Sequence, residues 1–261
     1  MTENTIQTEN HSGTLVIRLN IPDRRNPLTS ALVGELREAL QKAQAEPEIR
    51  ATVLTGIGPA FSAGADLQEF SRIGARTPAK LYDDAYDAAD LFRLGSQLRK
   101  PLIGAINGSA FGGGMGLVAM CHWAVAADTA RFGTTELRVG LIPFVILPLI
   151  RRAIGEKNAL KLMLLAESIT AREALQMGLV QKVVPPNQVL EQALSWAKTV
   201  GGYSPYAVKM GLDAFFTTQD LDLEASFAYL ARLRILSFLS DDLKEGTQAF
   251  LEKRAPVWRG Q

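Results

Sequence analysis

Two glycine-rich segments and one glutamate carry the chemistry for which this sequence can be read. Ala63-Gly64-Ala65-Asp66 and Phe111-Gly112-Gly113-Gly114 each follow an apolar run of β type, Ala51-Thr52-Val53-Leu54-Thr55 and Leu102-Ile103-Gly104-Ala105-Ile106. Parallel strands would release both loops at one sheet edge, where their bare backbone N–H groups can converge on a single oxygen atom. Two such donors form an oxyanion hole, which suits a carbonyl that gains negative charge. Glu136 lies in Arg131-Phe132-Gly133-Thr134-Thr135-Glu136-Leu137. Against apolar walls its charged form is disfavoured and its pKa rises, which suits a group that both takes and returns a proton.

Taken singly, each motif has a plainer reading. Gly112 to Gly114 precede an apolar stretch of helical period, so they serve equally to let that helix pack closely on a sheet or to aim its N-terminal N–H groups at a ligand. They are neither a dinucleotide fingerprint, whose last glycine would fall on Leu117, nor a phosphate loop, since no Lys-Ser or Lys-Thr follows. Ser62 lacks the partners of a nucleophilic triad, because the chain has only His11 and His122. The same scarcity argues against a metal site. Cys121 stands alone in an apolar stretch and reads as a buried structural thiol in a reducing compartment.

The elements that must position these residues follow from periodicity. Apolar, β-branched runs at 15–19, 51–55, 102–106, 124–127 and 180–184 alternate with helical segments, which implies crossover helices on mostly parallel strands. One helix opens at Leu28-Thr29 with Leu32, Leu36 and Leu40 at i, i+4 spacing, capped by Thr29 or Ser30. Past Pro185-Pro186 only helical patterns remain, dividing the chain into an α/β core over 1–185 and a helical region over 186–261. Phe215, Phe216, Phe227, Tyr229, Leu233, Leu236 and Phe238 on the late helices belong either against another subunit or against the chain's own sheet. The segment 72–86 reads as a lid over the site.

With 28 basic and 27 acidic residues among 261, the chain has no global field to gather nucleic acid or an anionic membrane. Its longest apolar run, 139–150, is too short to span a bilayer and contains Pro143 and Pro148. The polar first ten residues carry no visible targeting signal, so the expected location is the cytoplasm.

In this order and spacing, the segments resemble the crotonase, or enoyl-CoA hydratase/isomerase, superfamily. The blocks are Arg25-Asn26-Pro27-Leu28, then Phe61 to Leu67, then Asn107-Gly108 with Gly112 to Gly114. They continue with Phe132-Gly133, Glu136 and Gly140-Leu141-Ile142-Pro143, with Ala171-Arg172-Glu173-Ala174 and Gly178-Leu179-Val180, and with Glu245-Gly246 and Ala249 to Arg254. The resemblance implies a spiral of ββα turns with a C-terminal helical layer that makes homotrimers or hexamers. It implies an acyl-CoA thioester as substrate, with CoA entering as part of it and no separate cofactor.

Carried over, Ala65 and Gly113 would hold the thioester oxygen as an enolate forms, and Glu136 would move the proton. Arg25, Ala63, Asp66, Leu67 and Gly112 would lie along the substrate, with Phe250 and Lys253 reaching CoA from a neighbouring subunit. Phe70, Tyr86 and Phe144 are candidates for the acyl pocket, with Tyr82, Phe92, Val145 and Leu147 beside them. Three positions depart from the family pattern. Gly116 stands where two-glutamate hydratases have a second catalytic glutamate, Gln68 replaces a frequent basic residue, and His122 replaces a frequent aspartate. The segments around Gly112 to Leu117, Gly140 to Pro143 and Arg152 to Gly155 resemble bacterial methylglutaconyl-CoA hydratase-like members. The expectation is therefore reversible hydration of a 2-enoyl-CoA. Double-bond isomerisation of a 3-enoyl-CoA by Glu136 is the alternative, and a non-catalytic acyl-CoA-binding scaffold a further one.

Overall fold

The computed structural model describes residues 4–261. Its main sheet runs in the order β1 (Ile6–His11), β2 (Thr14–Leu19), β4 (Ala51–Gly56), β7 (Leu102–Ile106), β9 (Trp123–Ala127) and β12 (Lys182–Val184). All pairs are parallel except the β1–β2 hairpin. A second sheet, ordered β11 (Ile169–Thr170), β10 (Arg131–Gly133), β8 (Ser109–Phe111) and β5 (Ala60–Ser62), stands beside it, and β3 (Pro27–Leu28) pairs with β6 (Gly64–Ala65). Strands β4, β7 and β9 each continue into a strand of the second sheet before the chain turns into a helix. That repeat is a ββα spiral.

The helices are α1 (Ser30–Ala45), α2 (Leu67–Phe70), α3 (Pro78–Gln97), α4 (Gly113–Met120), α5 (Leu147–Ile154), α6 (Glu156–Leu165), α7 (Ala171–Met177), α8 (Val189–Gly201), α9 (Pro205–Thr218), α10 (Leu223–Leu239) and α11 (Asp241–Leu251). Thr29 caps α1, accepting from the Leu32 N–H at 3.1 Å, and Leu32, Leu36 and Leu40 are fully buried. Strands β4 and β7 are covered on both faces, which is why they read as continuous apolar runs rather than alternating ones. Phe61 on β5 and Phe132 on β10, both fully buried, fill the space within the spiral.

Three features add to or correct the sequence expectation. Ile6–His11, with His11 at its end, is an ordered edge strand, paired residue for residue with β2 across the Ser12-Gly13 turn. Most of the expected lid, 72–86, belongs to α3, which Thr77 caps and Pro78 begins. The glycine loops emerge from β5 and β8 of the second sheet rather than directly from the main one. Helix α8, the first after Pro185-Pro186, packs on β4, β7 and β9, so the change of pattern there marks a new layer over the same sheet.

Among the described residues no helix is long and apolar enough to cross a membrane. In this single chain Phe215, Phe227, Leu236 and Phe238 are exposed, while Phe216 packs at 5.3 Å between centroids on the His122 ring. The chain's own sheet therefore leaves much of the late apolar surface uncovered.

His122 ties the main sheet to α3. The Leu102 N–H donates to its Nδ1 at 3.1 Å, and its Nε2 donates to the Gly95 carbonyl at 2.9 Å, so the two partners fix the neutral tautomer. Burial pushes the imidazole below its ordinary value, with the Gly95 bond opposing. A depressed folded-state value means stability is fully present above the ordinary imidazole value and is lost as pH falls through the folded one. His122→Ala should cost roughly 2 kcal/mol or more at neutral pH, through two orphaned backbone groups. The variant should also lose part of the parent's dependence of melting temperature on pH between about 5 and 8, as thermal unfolding across that range would measure.

Candidate active site

The two glycine loops touch. Gly64, at φ +84°, lies so close to the second loop that a Cβ there would sit 2.4 Å from the Phe111 carbonyl oxygen and 3.1 Å from the Gly113 nitrogen. No side chain fits that gap, and the positive φ is itself costly for an L-residue. The register of β5 on β8, with Ser62 opposite Ala110, sets the approach.

Asn26 shapes the first loop from the side. Fully buried, it accepts from the Ile21 N–H at 2.8 Å and donates to the carbonyls of Ile57, Ala60 and Phe61 at 3.0, 2.9 and 3.2 Å. The Ser62 hydroxyl in turn donates to the Asn26 carbonyl at 2.7 Å. Ser62 is thereby a buried brace. Arg25 presents its carbonyl to the Ala63 N–H at 2.8 Å while its side chain stays exposed.

The second loop turns into α4 at Gly112, whose φ of +52° swings the chain so that Gly113 becomes the first helical residue. The first N–H groups of a helix lack intrahelical partners, and the dipole end there is positive. Gly112 also leaves room for Glu136, because a Cβ would lie 3.0 Å from the carboxylate Oε1.

Ala65, Gly113 and Glu136 line one cavity of ≈ 390 Å³, walled mainly by Leu28, Phe70, Phe92, Phe144, Val145 and Ile146. Glu136 opens a 3-10 turn, and its Oε2 is buried with no hydrogen-bond partner among the described residues. Desolvation pushes its carboxyl above the ordinary value, with its own backbone N–H opposing. A carboxylate held this way is costly as a charge and suited to exchanging protons.

Other expected site residues lie elsewhere. Tyr86 is not a wall of the cavity: Leu81, Ala85, Ala88 and Phe92 share the cavity face of α3, and the helical period turns Tyr86 away to stack on Tyr82 at 4.4 Å. Leu147 likewise falls outside the lining. The Asp66 carboxylate is occupied with the fold. Burial alone would raise its pKa, yet Arg24 at 2.6 Å and the Gln68 N–H at 2.9 Å hold it below the ordinary value. Ala63 and Leu67 face solvent beside the cavity. Phe250 and Lys253, exposed at the end of α11, do not reach the cavity of their own chain. Leu28, Ile142 and Ile146 are walls that sequence reasoning missed; the Leu28 block was legible, but nothing local said which way its side chain faced.

Comparison with known proteins gives this arrangement its class. A crystal structure of enoyl-CoA hydratase from Mycobacterium smegmatis superposes with a TM-score of 0.93 at 29% identity, covering 98% of this chain and 99% of that one. The enoyl-CoA hydratase of Bacillus anthracis superposes at 0.92 with 32% identity over 98% and 100%. The fold is thus that of the crotonases, an α/β spiral with a C-terminal helical region. A 2,3-dehydroadipyl-CoA hydratase of Escherichia coli is 36% identical over 248 residues, 95% of either chain. The family model for enoyl-CoA hydratase/isomerase matches residues 9–261, and the chain belongs to that family.

The raised pKa of Glu136 has a stability consequence opposite in sign to that of most carboxylates. Where the folded value exceeds the unfolded one, the penalty is absent at low pH, grows as pH rises from the unfolded toward the folded value, and is complete above it. Glu136→Gln should therefore melt at a higher temperature than the parent at neutral pH, with the difference shrinking below about pH 5. Calorimetric scans at the two pH values measure it.

Proposed function

We propose that this enzyme adds water reversibly across the double bond of a 2-enoyl-CoA, with Glu136 as its proton-transfer group and the N–H groups of Ala65 and Gly113 as the oxyanion hole. The observation that carries the reading is the desolvated carboxyl of Glu136, its Oε2 without a partner among the described residues, in the same cavity as both loop residues. Kinship supports the reaction class, since the structural neighbours are named enoyl-CoA hydratases and the relative a 2,3-dehydroadipyl-CoA hydratase. In the forward step Glu136 takes a proton from water as its oxygen bonds to Cβ, and the π electrons move onto the thioester oxygen between the two N–H groups. The enolate then collapses, Cα takes the proton that Glu136 received, and the atoms of one water are accounted for. Two donors waiting where the charge develops stabilise the enolate without reorganising.

Gly116 explains why one carboxylate must do both transfers. A Cβ at that position would lie 2.3 Å from Ile146 Cγ2 and 2.8 Å from Phe92 Cε1, so the space for a second acid is filled by hydrocarbon. This also favours a second reading, isomerisation, in which Glu136 removes a proton from a 3-enoyl-CoA and returns it two carbons away.

The exposed apolar side chains of α9 and α10 support a homotrimer or hexamer in which further copies cover them. In such an assembly Phe250 and Lys253 belong to a neighbour's CoA site, and the exposed Arg25, Ala63 and Leu67 to the path of the CoA arm. Cys121, a buried thiol pushed up to about 12 by desolvation, suits a chain kept in the reducing cytoplasm.

Glu136→Gln should lower kcat for 2-enoyl-CoA hydration by about 10²- to 10⁴-fold, the range for a lost general acid/base. Hydration at the parental rate, followed by loss of the enoyl-thioester absorbance, would remove the role. The isomerase reading predicts that a 3-enoyl-CoA in deuterated water yields the 2-enoyl isomer; no shift of the double bond ends it.

A further inference from the structure

The cavity does not stop at the reacting centre. It continues between α1 and α3, where Ser30, Val33, Gly34 and Arg37 line it from one side. These positions follow the i, i+3, i+4, i+7 spacing of a single helix face, opposite Ala85 and Ala88 of α3. Ser30 and Arg37 are seven residues apart on that face, so the passage runs about 10 Å along the helix. That is longer than a butenoyl group needs beyond its double bond.

Small residues set its bore. A Cβ at Gly34 would meet no atom within 4 Å, so the missing side chain is not required by helix packing. Glycine in a helix interior is unfavourable relative to alanine, yet it stands where a larger side chain would project into the passage. The far end is polar but already satisfied. Arg37 pairs with Asp87 at 3.0 Å, and Arg76 and Lys80 both pair with Asp84, at 2.5 and 2.9 Å. With Glu69 also in the lining, acids outnumber cations there, so a carboxylate arriving at that end meets net repulsion. A hydrocarbon tail displaces nothing and removes apolar surface from water.

We infer that the α1–α3 passage receives the uncharged, medium-length hydrocarbon tail of the acyl thioester, and that Gly34 is the residue that admits it. The inference rests on the acyl-CoA reading of the site. It separates this chain from a relative whose named substrate, 2,3-dehydroadipyl-CoA, ends in a carboxylate.

The test compares 2-butenoyl-CoA, 2-octenoyl-CoA and an eight-carbon enoyl-CoA ending in a carboxylate as substrates of the parent and of Gly34→Leu. Calorimetric binding of butanoyl-CoA and octanoyl-CoA to the same proteins gives a readout without turnover. The parent should favour the octenoyl over the carboxylated thioester. Gly34→Leu should lower the octenoyl-to-butenoyl ratio of kcat/KM, and the octanoyl-to-butanoyl ratio of affinities, by at least about tenfold, the scale of a lost hydrophobic subsite. Ala88→Leu, narrowing the passage from the opposite wall, should do the same if Gly34→Leu fails to fold. Unchanged ratios in a folded variant, or a parental preference for the carboxylated thioester, overturn the inference. If no thioester is hydrated but the affinity ratio still falls, the passage stands and the reaction assignment fails; absence of any acyl-CoA binding overturns both.

Discussion

The close approach of two backbone segments at Gly64 is the constraint on which the site depends. Two loops separated by nearly fifty residues of chain meet within a distance that excludes even a methyl group, because Gly64 lies against the Phe111 carbonyl and the Gly113 nitrogen. Holding backbone at such range requires rigid support on both sides. Strands β5 and β8 supply it by lying side by side in the small sheet, and Asn26 adds hydrogen bonds to three carbonyls around the first loop. The large parallel sheet, with most of the buried apolar surface, serves to hold that small sheet still. The glycine loops thus hang from the minor sheet, while the continuous apolar runs belong to the major one.

Around this junction the fold holds an acid where its charged form is disfavoured. A carboxylate oxygen without a partner is an anomaly in a folded interior, and the cavity that Glu136 lines is walled largely by hydrocarbon from α3 and the turn before α5. Phe92 and Ile146 exclude a second acid at Gly116 and also wall the cavity that Glu136 lines.

Much of this was legible in the amino-acid order, and the reasons for the rest are physical. Strands buried on both faces announce themselves as unbroken apolar runs, so β4, β7 and β9 could be read directly. Strand β1 is polar and lies at a sheet edge, where pairing with β2 rather than burial fixes it, and only the Ser12-Gly13 turn hinted at a hairpin. Helix α3 was obscured because its first half is thinly buried and its large apolar residues, Tyr82 and Tyr86, face away from the core; the Thr77-Pro78 start was the available signal. The order of Ala65, Gly113 and Glu136 marked candidates that the fold brings to one cavity. Their walls were harder, since whether Leu28, Ile146 or Tyr86 points inward depends on the rotation of elements fixed by distant contacts.

Helix α3 behaves mechanically as a cantilever. Its buried residues, Leu91, Phe92 and Gly95, all lie in its second half, where His122 bolts the Gly95 carbonyl to the main sheet. Toward Pro78 it is held mainly by ion pairs at the surface, so the free energy needed to displace it falls along its length. Burial is consequently graded along this wall of the cavity, from buried Phe92 to half-buried Leu81. A wall built this way is anchored at one end only, so strain imposed near Leu81 is not carried to the buried turn at Phe92 without first bending the exposed half of the helix.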